Sequence, residues 1–188
     1  LSRRQRQMCI RDRMMALATE HDLDEVVCGY TMENVKQGVP ISAKRFGYPG
    51  FVAKSPEEFR ARLIPLVSAH LMYVIWNKIY RTSVIRDNGI LFPLDFKSGE
   101  DRLFNARLFP LLRSFACIDQ PFYRYLNDEK GLNARFVPNR FEAALSCHQA
   151  LSQACRDMEI SGPETEAVLS YQFVKGVMSC FTQLSVES

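Results

Sequence analysis

The sequence predicts a mixed α/β or α+β domain followed by a helical tail. Apolar runs of strand length lie at 25–31 (EVVCGYT) and 114–119 (SFACID). A strong helix start, Ser55-Pro56-Glu57-Glu58, falls between them. From 138 onward, apolar residues recur at spacings of three and four with no strand-like run among them.

Each element follows from its residues. Residues 14–21 (MMALATEH) read as the end of a helix, and 25–31 as a Val-rich strand. The stretch 34–42 (NVKQGVPIS) is turn-rich and reads as a hairpin or an excursion loop. At the next helix Ser55 is the N-cap, Pro56 takes the first helical position, and Glu57 and Glu58 sit in the first turn. Phe59, Leu63, Leu66, Val67 and His70 follow at helical spacing. An apolar run from Leu71 to Ile75 leads into 76–80 (WNKIY). Thr82 caps a short helix that Asn88-Gly89 ends, and Ile90 to Pro93 is a short extended piece. A polar loop at 94–101 (LDFKSGED) feeds a largely apolar helix at 101–113. Two strands follow, 114–119 and 121–126 (PFYRYL), then a loop at 128–136 (DEKGLNARF). Helices at 138–158 and 163–184 close the chain. The change of pattern near 137 separates a domain at 14–136 from a helical extension at 137–188. No internal repeat is visible.

Composition excludes several classes of protein. The chain is 47% apolar and 24% charged, with 13 Phe, 7 Tyr and one Trp, which is globular and not disordered. No apolar run approaches the roughly 18–20 residues of a membrane span. The net charge of +3 is misleading, because residues 1–13 (LSRRQRQMCIRDR) hold five Arg and one Asp. Residues 14–188 therefore carry 3 − 4 = −1, which advertises no nucleic-acid partner. Leu1, Met8, Cys9 and Ile10 share no helical face, and MCIRDR is similar to translated adaptor sequence. Residues 1–13 are thus expected to be an artefactual or disordered scar. Six cysteines, at 9, 28, 117, 147, 155 and 180, include no Cys-x-x-Cys and no Cys/His cluster at zinc spacing. They read as free, mostly buried thiols of a reducing compartment. Cys147 beside His148 is the one adjacent pair, and neighbours on a helix point about 100° apart.

Three segments can carry chemistry. Glu100-Asp101 follows Ser98-Gly99 and opens a helix. Acids there cap the helix and complement its dipole; alternatively one carboxylate takes a proton from a weakly acidic sugar hydroxyl. The glycine would let the backbone approach a ligand. In Trp76-Asn77-Lys78, the ring can stack on a sugar while Asn and Lys bind hydroxyl or phosphate; packing of the Trp into the core is the competing reading. Tyr123 and Tyr125 share one strand face and Arg124 takes the other, as a phosphate clamp or as a surface ion pair. His21, His70 and His148 form no ligand pattern, and Asp22-x-Asp24 reads as a solvated turn.

The ordered set VVCGY, SPEE, WNKIYRTSVIRDNGILFP, GED-x-x-F-N and ACIDQPFYRYLND resembles the second half of family 2 glycosyltransferases, bacterial enzymes with the Rossmann-like GT-A fold. The resemblance covers roughly 14–136, and 137–188 resembles the variable helical tail of such proteins. It implies that Asp101 is the catalytic base, with Glu100 an acceptor contact. It places Trp76, Asn77 and Lys78 beside the acceptor cleft, and Tyr123 and Arg124 on a strand that meets phosphate or donor. It implies a nucleotide-sugar donor, a glycan or lipid-linked acceptor, and a role in cell-surface polysaccharide synthesis. The implied location is cytoplasmic, including a peripheral position at the inner face of the membrane. The family's Asp-x-Asp, which holds Mg²⁺ or Mn²⁺ against the donor diphosphate, has no counterpart here, since Asp22-x-Asp24 stands in the wrong place. The chain is therefore expected to be a truncated transferase, with no metal ligands of its own and no transfer activity alone. Loss of neighbouring strands is expected to leave the first strand on an open edge and favour self-association. A non-catalytic binding or scaffold module is the competing function.

Overall fold

A computed structural model describes residues 3–94, 98–128 and 136–184. It is a mixed α/β domain with a helical C-terminal region. The sheet is built around β1 (Glu25–Lys36), which runs parallel to β5 (Phe115–Asp128) and antiparallel to β2 (Val39–Phe46) and β4 (Lys78–Tyr80). β3 (Phe51–Ala53) closes the far side against β5, so the order is β2-β1-β5-β3 with β4 beside the start of β1. The turn between β1 and β2 is Gln37-Gly38, with φ of 50° and 80°. Positive φ at both central residues matches the right-handed strand twist, and glycine takes the second at no steric cost.

Helices cover both sheet faces. Along β1, Val26 and Cys28 pack with Ala116 and Met14 on one face. Val27 and Tyr30 join the main core on the other. That core takes Phe59, Leu63, Leu66 and Val67 from α2 (Pro56–Ser68) and Phe104 and Leu108 from α4 (Glu100–Leu108). It also takes Leu151 and Ala154 from α5 (Arg140–Asp157), on which α6 (Pro163–Leu184) packs. α2 starts as its residues require: Ser55 Oγ accepts the Glu58 N–H at 3.3 Å. It ends with His70 left-handed at φ 62°, the Leu71 N–H reaching Leu66 O at 3.1 Å and the His70 N–H reaching Val67 O at 3.0 Å. His70 thus lies past the helix instead of on its stripe. Thr82 is the first residue of α3 (Thr82–Asp87), not its cap.

Other expectations need correction. Residues 3–13 are not disordered: they form the first turns of α1 (Arg3–His21). Ile10 joins Met14, Leu17 and Ala18 on one helical stripe against the sheet, a stripe that a division at residue 13 cuts in two. Arg13 donates to Gln120 at 2.9 Å and lies over the Phe122 ring. The pieces 114–119 and 121–126 form one strand, β5. Its register against β1 jumps from Cys28↔Ile118 to Gly29↔Pro121, and this bulge accommodates a proline that cannot donate to the ladder. A Cβ on Gly29 would lie 2.8 Å from Phe46 O, so the bulge needs glycine there. β1 is not an edge; the exposed strand is β2, which carries Pro40, Lys44 and Arg45. Proline and charge are the usual guards of such edges. Residues 91–93 form no strand, and the helix expected over 101–113 is α4 with a single 3-10 turn, Phe109–Leu111. Most of the loop at 128–136 lies outside the described residues.

Candidate active site

Asp101 stands in the first turn of α4, half-buried. Its Oδ2 accepts the Ile75 N–H at 3.4 Å. Burial and then the neighbouring Glu100 raise its pKa above the usual carboxylate range, while the Ile75 N–H and Lys78 pull it down. Glu100 is half-buried too, and its Oε2 has no hydrogen-bond partner. The pair thus presents a carboxylate of raised basicity, held by one backbone donor. Gly99 serves it differently from the expectation. Its φ is 87°, and an added Cβ would meet Cys147 Sγ at 2.8 Å. The close approach is to α5, with the Cys147 thiol donating to Gly99 O at 3.5 Å.

A buried polar network holds the segment 71–77 that grips Asp101. The Lys78 ammonium donates to Leu71 O, to Val74 O at 2.6 Å and to Asn77 Oδ1 at 2.9 Å. Asn77, 1% exposed, donates to Cys28 O at 3.1 Å and Leu71 O at 3.2 Å. Asn105 lies fully buried in α4, accepts from the Tyr80 hydroxyl at 2.8 Å and donates to Val74 O at 3.4 Å. Asn77 and Lys78 were expected to touch an acceptor. The structure corrects this, because their donors are consumed by backbone and side-chain oxygens in the interior. Their part is to hold the segment whose Ile75 N–H binds Asp101. Glu25, which sequence reasoning missed, lies in the same interior. It is 1% exposed, both its oxygens lack partners, and burial raises its pKa while Lys78 lowers it.

Trp76 leaves this network half-buried on the same side as Tyr123 and Tyr125. Its ring stacks on Tyr123 at 4.4 Å and on Tyr125 at 5.4 Å, and meets Tyr30 edge-on at 4.8 Å. Tyr30 in turn stacks on Phe46 at 4.7 Å. These contacts make an aromatic wall that follows Ile75 in the chain; Trp76 and Tyr123 pack against the main core and stay half-buried, which is the packing reading of Trp76. Arg124 points the other way, as strand alternation requires, and its Nε and Nη2 donate to the two oxygens of Glu33. A phosphate would have to displace that carboxylate, so the ion-pair reading of Arg124 holds.

Asp22-x-Asp24 is a solvated turn only at Asp22, whose side chain is exposed. Asp24, 8% exposed, accepts the Arg113 N–H at 2.8 Å and pairs with Arg81 at 2.9 Å, and Asp22 also binds Arg81. Among the described residues no three His, Cys, Asp or Glu side chains converge as a metal site. The Mg²⁺ or Mn²⁺ implied by the resemblance therefore does not fit these residues. The described cysteines 28, 117, 147, 155 and 180 are free. Burial pushes Cys28 to about 11 and Cys117 to about 12, and it raises Cys147 as well. Such thiols are poor nucleophiles at neutral pH. His148 tilts against Phe173 at 4.8 Å and forms no pair with Cys147. A cavity of about 30 Å³ between α4, α5 and α6 has room for a water, not a sugar. No helix among the described residues is long and apolar enough to cross a membrane.

No protein-family model matches the chain. Over 69 residues it is 30% identical to the poly(ribitol-phosphate) β-N-acetylglucosaminyltransferase TarS of Staphylococcus aureus, covering 36% of this chain and 12% of that protein. Over 76 residues it is 30% identical to EpsH of Bacillus subtilis, a protein named as a glycosyltransferase, covering 39% of this chain and 22% of the relative. The chain thus spans between about a tenth and a quarter of the length of these relatives. The crystal structure of S. aureus TarS 1–349 with UDP-GlcNAc matches with a TM-score of 0.52 at 20% identity, over 81% of this chain and 43% of that one. That last likeness is one of fold. By sequence and by fold, then, the chain is similar to bacterial glycosyltransferases.

Proposed function

We propose that this chain is the acceptor-side part of an inverting family 2 glycosyltransferase of the GT-A fold, acting in cell-surface polysaccharide synthesis. The observation that carries the proposal is Asp101, a half-buried carboxylate of raised pKa held by the N–H of Ile75, which precedes Trp76 of the aromatic wall. The glycosyltransferase relatives support it. In the proposed reaction Asp101 accepts the proton of an acceptor hydroxyl. The hydroxyl oxygen bonds to the sugar's anomeric carbon as the bond from that carbon to the nucleotide diphosphate breaks. Glu100 and Tyr123 complete the acceptor side, and Lys78, Asn77 and Asn105 position it. The donor is proposed to be a nucleotide sugar, as in the TarS structure with UDP-GlcNAc, and the acceptor a glycan or a lipid-linked saccharide. The Mg²⁺ or Mn²⁺ of the intact enzyme, and the residues that hold it, belong outside the described residues. The proposed location is cytoplasmic.

On this reading the 188-residue chain alone transfers no sugar. Joining it to a donor half restores transfer, and Asp101→Asn removes it again with the fold intact. Transfer from UDP- or GDP-sugars by the chain alone contradicts the first statement; full activity of Asp101→Asn contradicts the second. A non-catalytic binding module is favoured by one feature only, the exposed stripe Tyr171, Val174, Met178 and Phe181 along α6. That reading predicts no effect of Asp101→Asn.

A further inference from the structure

Three cations from three separate elements gather around His70. Lys44 of β2 lies over the Phe46 ring at 5.0 Å. Arg102, the residue after Asp101, lies over the Tyr73 ring at 4.8 Å. Between those rings stands His70, 5.6 Å from Phe46 and 5.8 Å from Tyr73. Lys175 of α6 approaches from the helical tail: after burial, it is the charge that most depresses the His70 pKa, ahead of Lys44 and Arg102. Arg102 and Lys44 depress the Lys175 pKa in turn, so the three charges act on one another.

All three cations are exposed. Unlike Arg45, Arg60, Arg81, Arg86 and Arg124, none has a carboxylate at ion-pair distance among the described residues. Beneath them the Tyr73 hydroxyl is buried and has no hydrogen-bond partner, in a residue 9% exposed. Like charges held together without a counter-ion repel, and an anion relieves that repulsion. The group adjoins the aromatic wall through Phe46, which stacks on Tyr30. We propose that Lys44, Arg102 and Lys175, set around His70 and Tyr73, form a subsite for a phosphate carried by the sugar acceptor. Their side of the site follows from the chemistry. In an inverting displacement the base and the acceptor hydroxyl lie opposite the leaving diphosphate, and Arg102 shares a helical turn with Asp101. The assignment to the acceptor rests on the sugar-transfer reading of Asp101. The affinity for phosphate does not.

The test is an NMR titration of the 188-residue chain with glycerol 3-phosphate, glycerol and UDP. Glycerol 3-phosphate is expected to shift the amides of His70, Tyr73 and Arg102, and glycerol to leave them unmoved. Each of Lys44→Gln, Arg102→Gln and Lys175→Gln should weaken binding roughly threefold, and the triple variant at least about tenfold. All three side chains are exposed, so circular dichroism should show the fold retained; raising the salt should weaken binding to the unmodified chain by the same electrostatics. Equal binding of glycerol, or a triple variant within about twofold of the parent, overturns the proposal. Displacement of glycerol 3-phosphate by UDP also overturns it, by assigning the cations to the donor. With the donor half restored, the two ideas separate. Asp101→Asn that loses transfer while the chain binds no phosphate sinks this subsite alone; phosphate binding with Asp101→Asn fully active sinks the assignment to a sugar acceptor.

Discussion

Replacing Glu25 with Gln should abolish the loss of stability that Glu25 causes as the pH rises from 4.5 to about 7. Glu25 opens β1 with both carboxylate oxygens buried and unpartnered. Burial raises its pKa from 4.5 to about 7, against the attraction of Lys78. An acid whose pKa is raised by folding holds its proton more tightly in the folded chain. Its contribution is therefore complete below pH 4.5 and is lost as the pH rises through about 7. At about 1.4 kcal/mol for each pH step, the loss approaches roughly 3 kcal/mol. Glutamine has no charge to desolvate, so the variant lacks this slope. His70 runs the other way, its pKa pushed down to about 4, so its contribution appears as the pH rises from about 4 to 6.5. It titrates alike in both proteins, so the difference between them reports Glu25 and the Lys78 charge coupled to it. The assay is urea unfolding near pH 5 and near pH 7.5. From the first pH to the second, the parent should lose about 2–3 kcal/mol relative to Glu25→Gln. Parallel pH profiles would refute the claim that an unpaired carboxylate is buried at the start of β1.

Three further substitutions test the frame of the site. Lys78→Met removes the donor for Leu71 O, Val74 O and Asn77 Oδ1 and leaves Glu25 without its counter-charge, so unfolding should cost about 3–5 kcal/mol less; a change under about 1 kcal/mol contradicts the network. Gly99→Ala forces a side chain into a left-handed residue and against Cys147, at a cost of about 2 kcal/mol in thermal unfolding. Adding Cys147→Ala should restore the part due to contact, and no restoration would show that the backbone angle alone is responsible. Arg124→Ala should leave the melting midpoint and the affinity for glycerol 3-phosphate unchanged, since its pairing with Glu33 is exposed; a loss of affinity would return Arg124 to the phosphate site.

Much of the fold was legible because local chemistry and tertiary structure agree. Ser55-Pro56 caps α2, Gln37-Gly38 turns the hairpin, and the 3–4 spacing after 138 marks α5 and α6. Elements were missed where the deciding contact lies far along the chain. β3 has only three residues and exists because β5 offers it a partner. Pro121 reads as a strand break until the bulge opposite Gly29 supplies a place for it. The candidate site divides in the same way. That Tyr123 and Tyr125 share one strand face follows from alternation; that Trp76 stacks on both does not, because the contact joins segments far apart in the chain. Nor does the burial of Asn77, Lys78 and Glu25, because a polar residue in an apolar run looks the same whether it meets water or a carbonyl oxygen. Likewise Asp24 looks like a loop acid until folding brings Arg81 and the Arg113 amide to it.

Removal of the acceptor proton by Asp101 is the step on which sugar transfer depends. It is tested most directly by the rate of sugar transfer from a nucleotide-sugar donor in the chain joined to its donor half, compared with the Asp101→Asn variant across pH. In the variant kcat should fall by about 10²–10⁴ with substrate binding and fold retained. In the parent, activity should decline on acidification at a pH above the ordinary carboxylate range, because folding raises the Asp101 pKa. A variant that keeps its rate within about tenfold of the parent would rule out Asp101 as the base and leave Glu100-Asp101 as a helix cap.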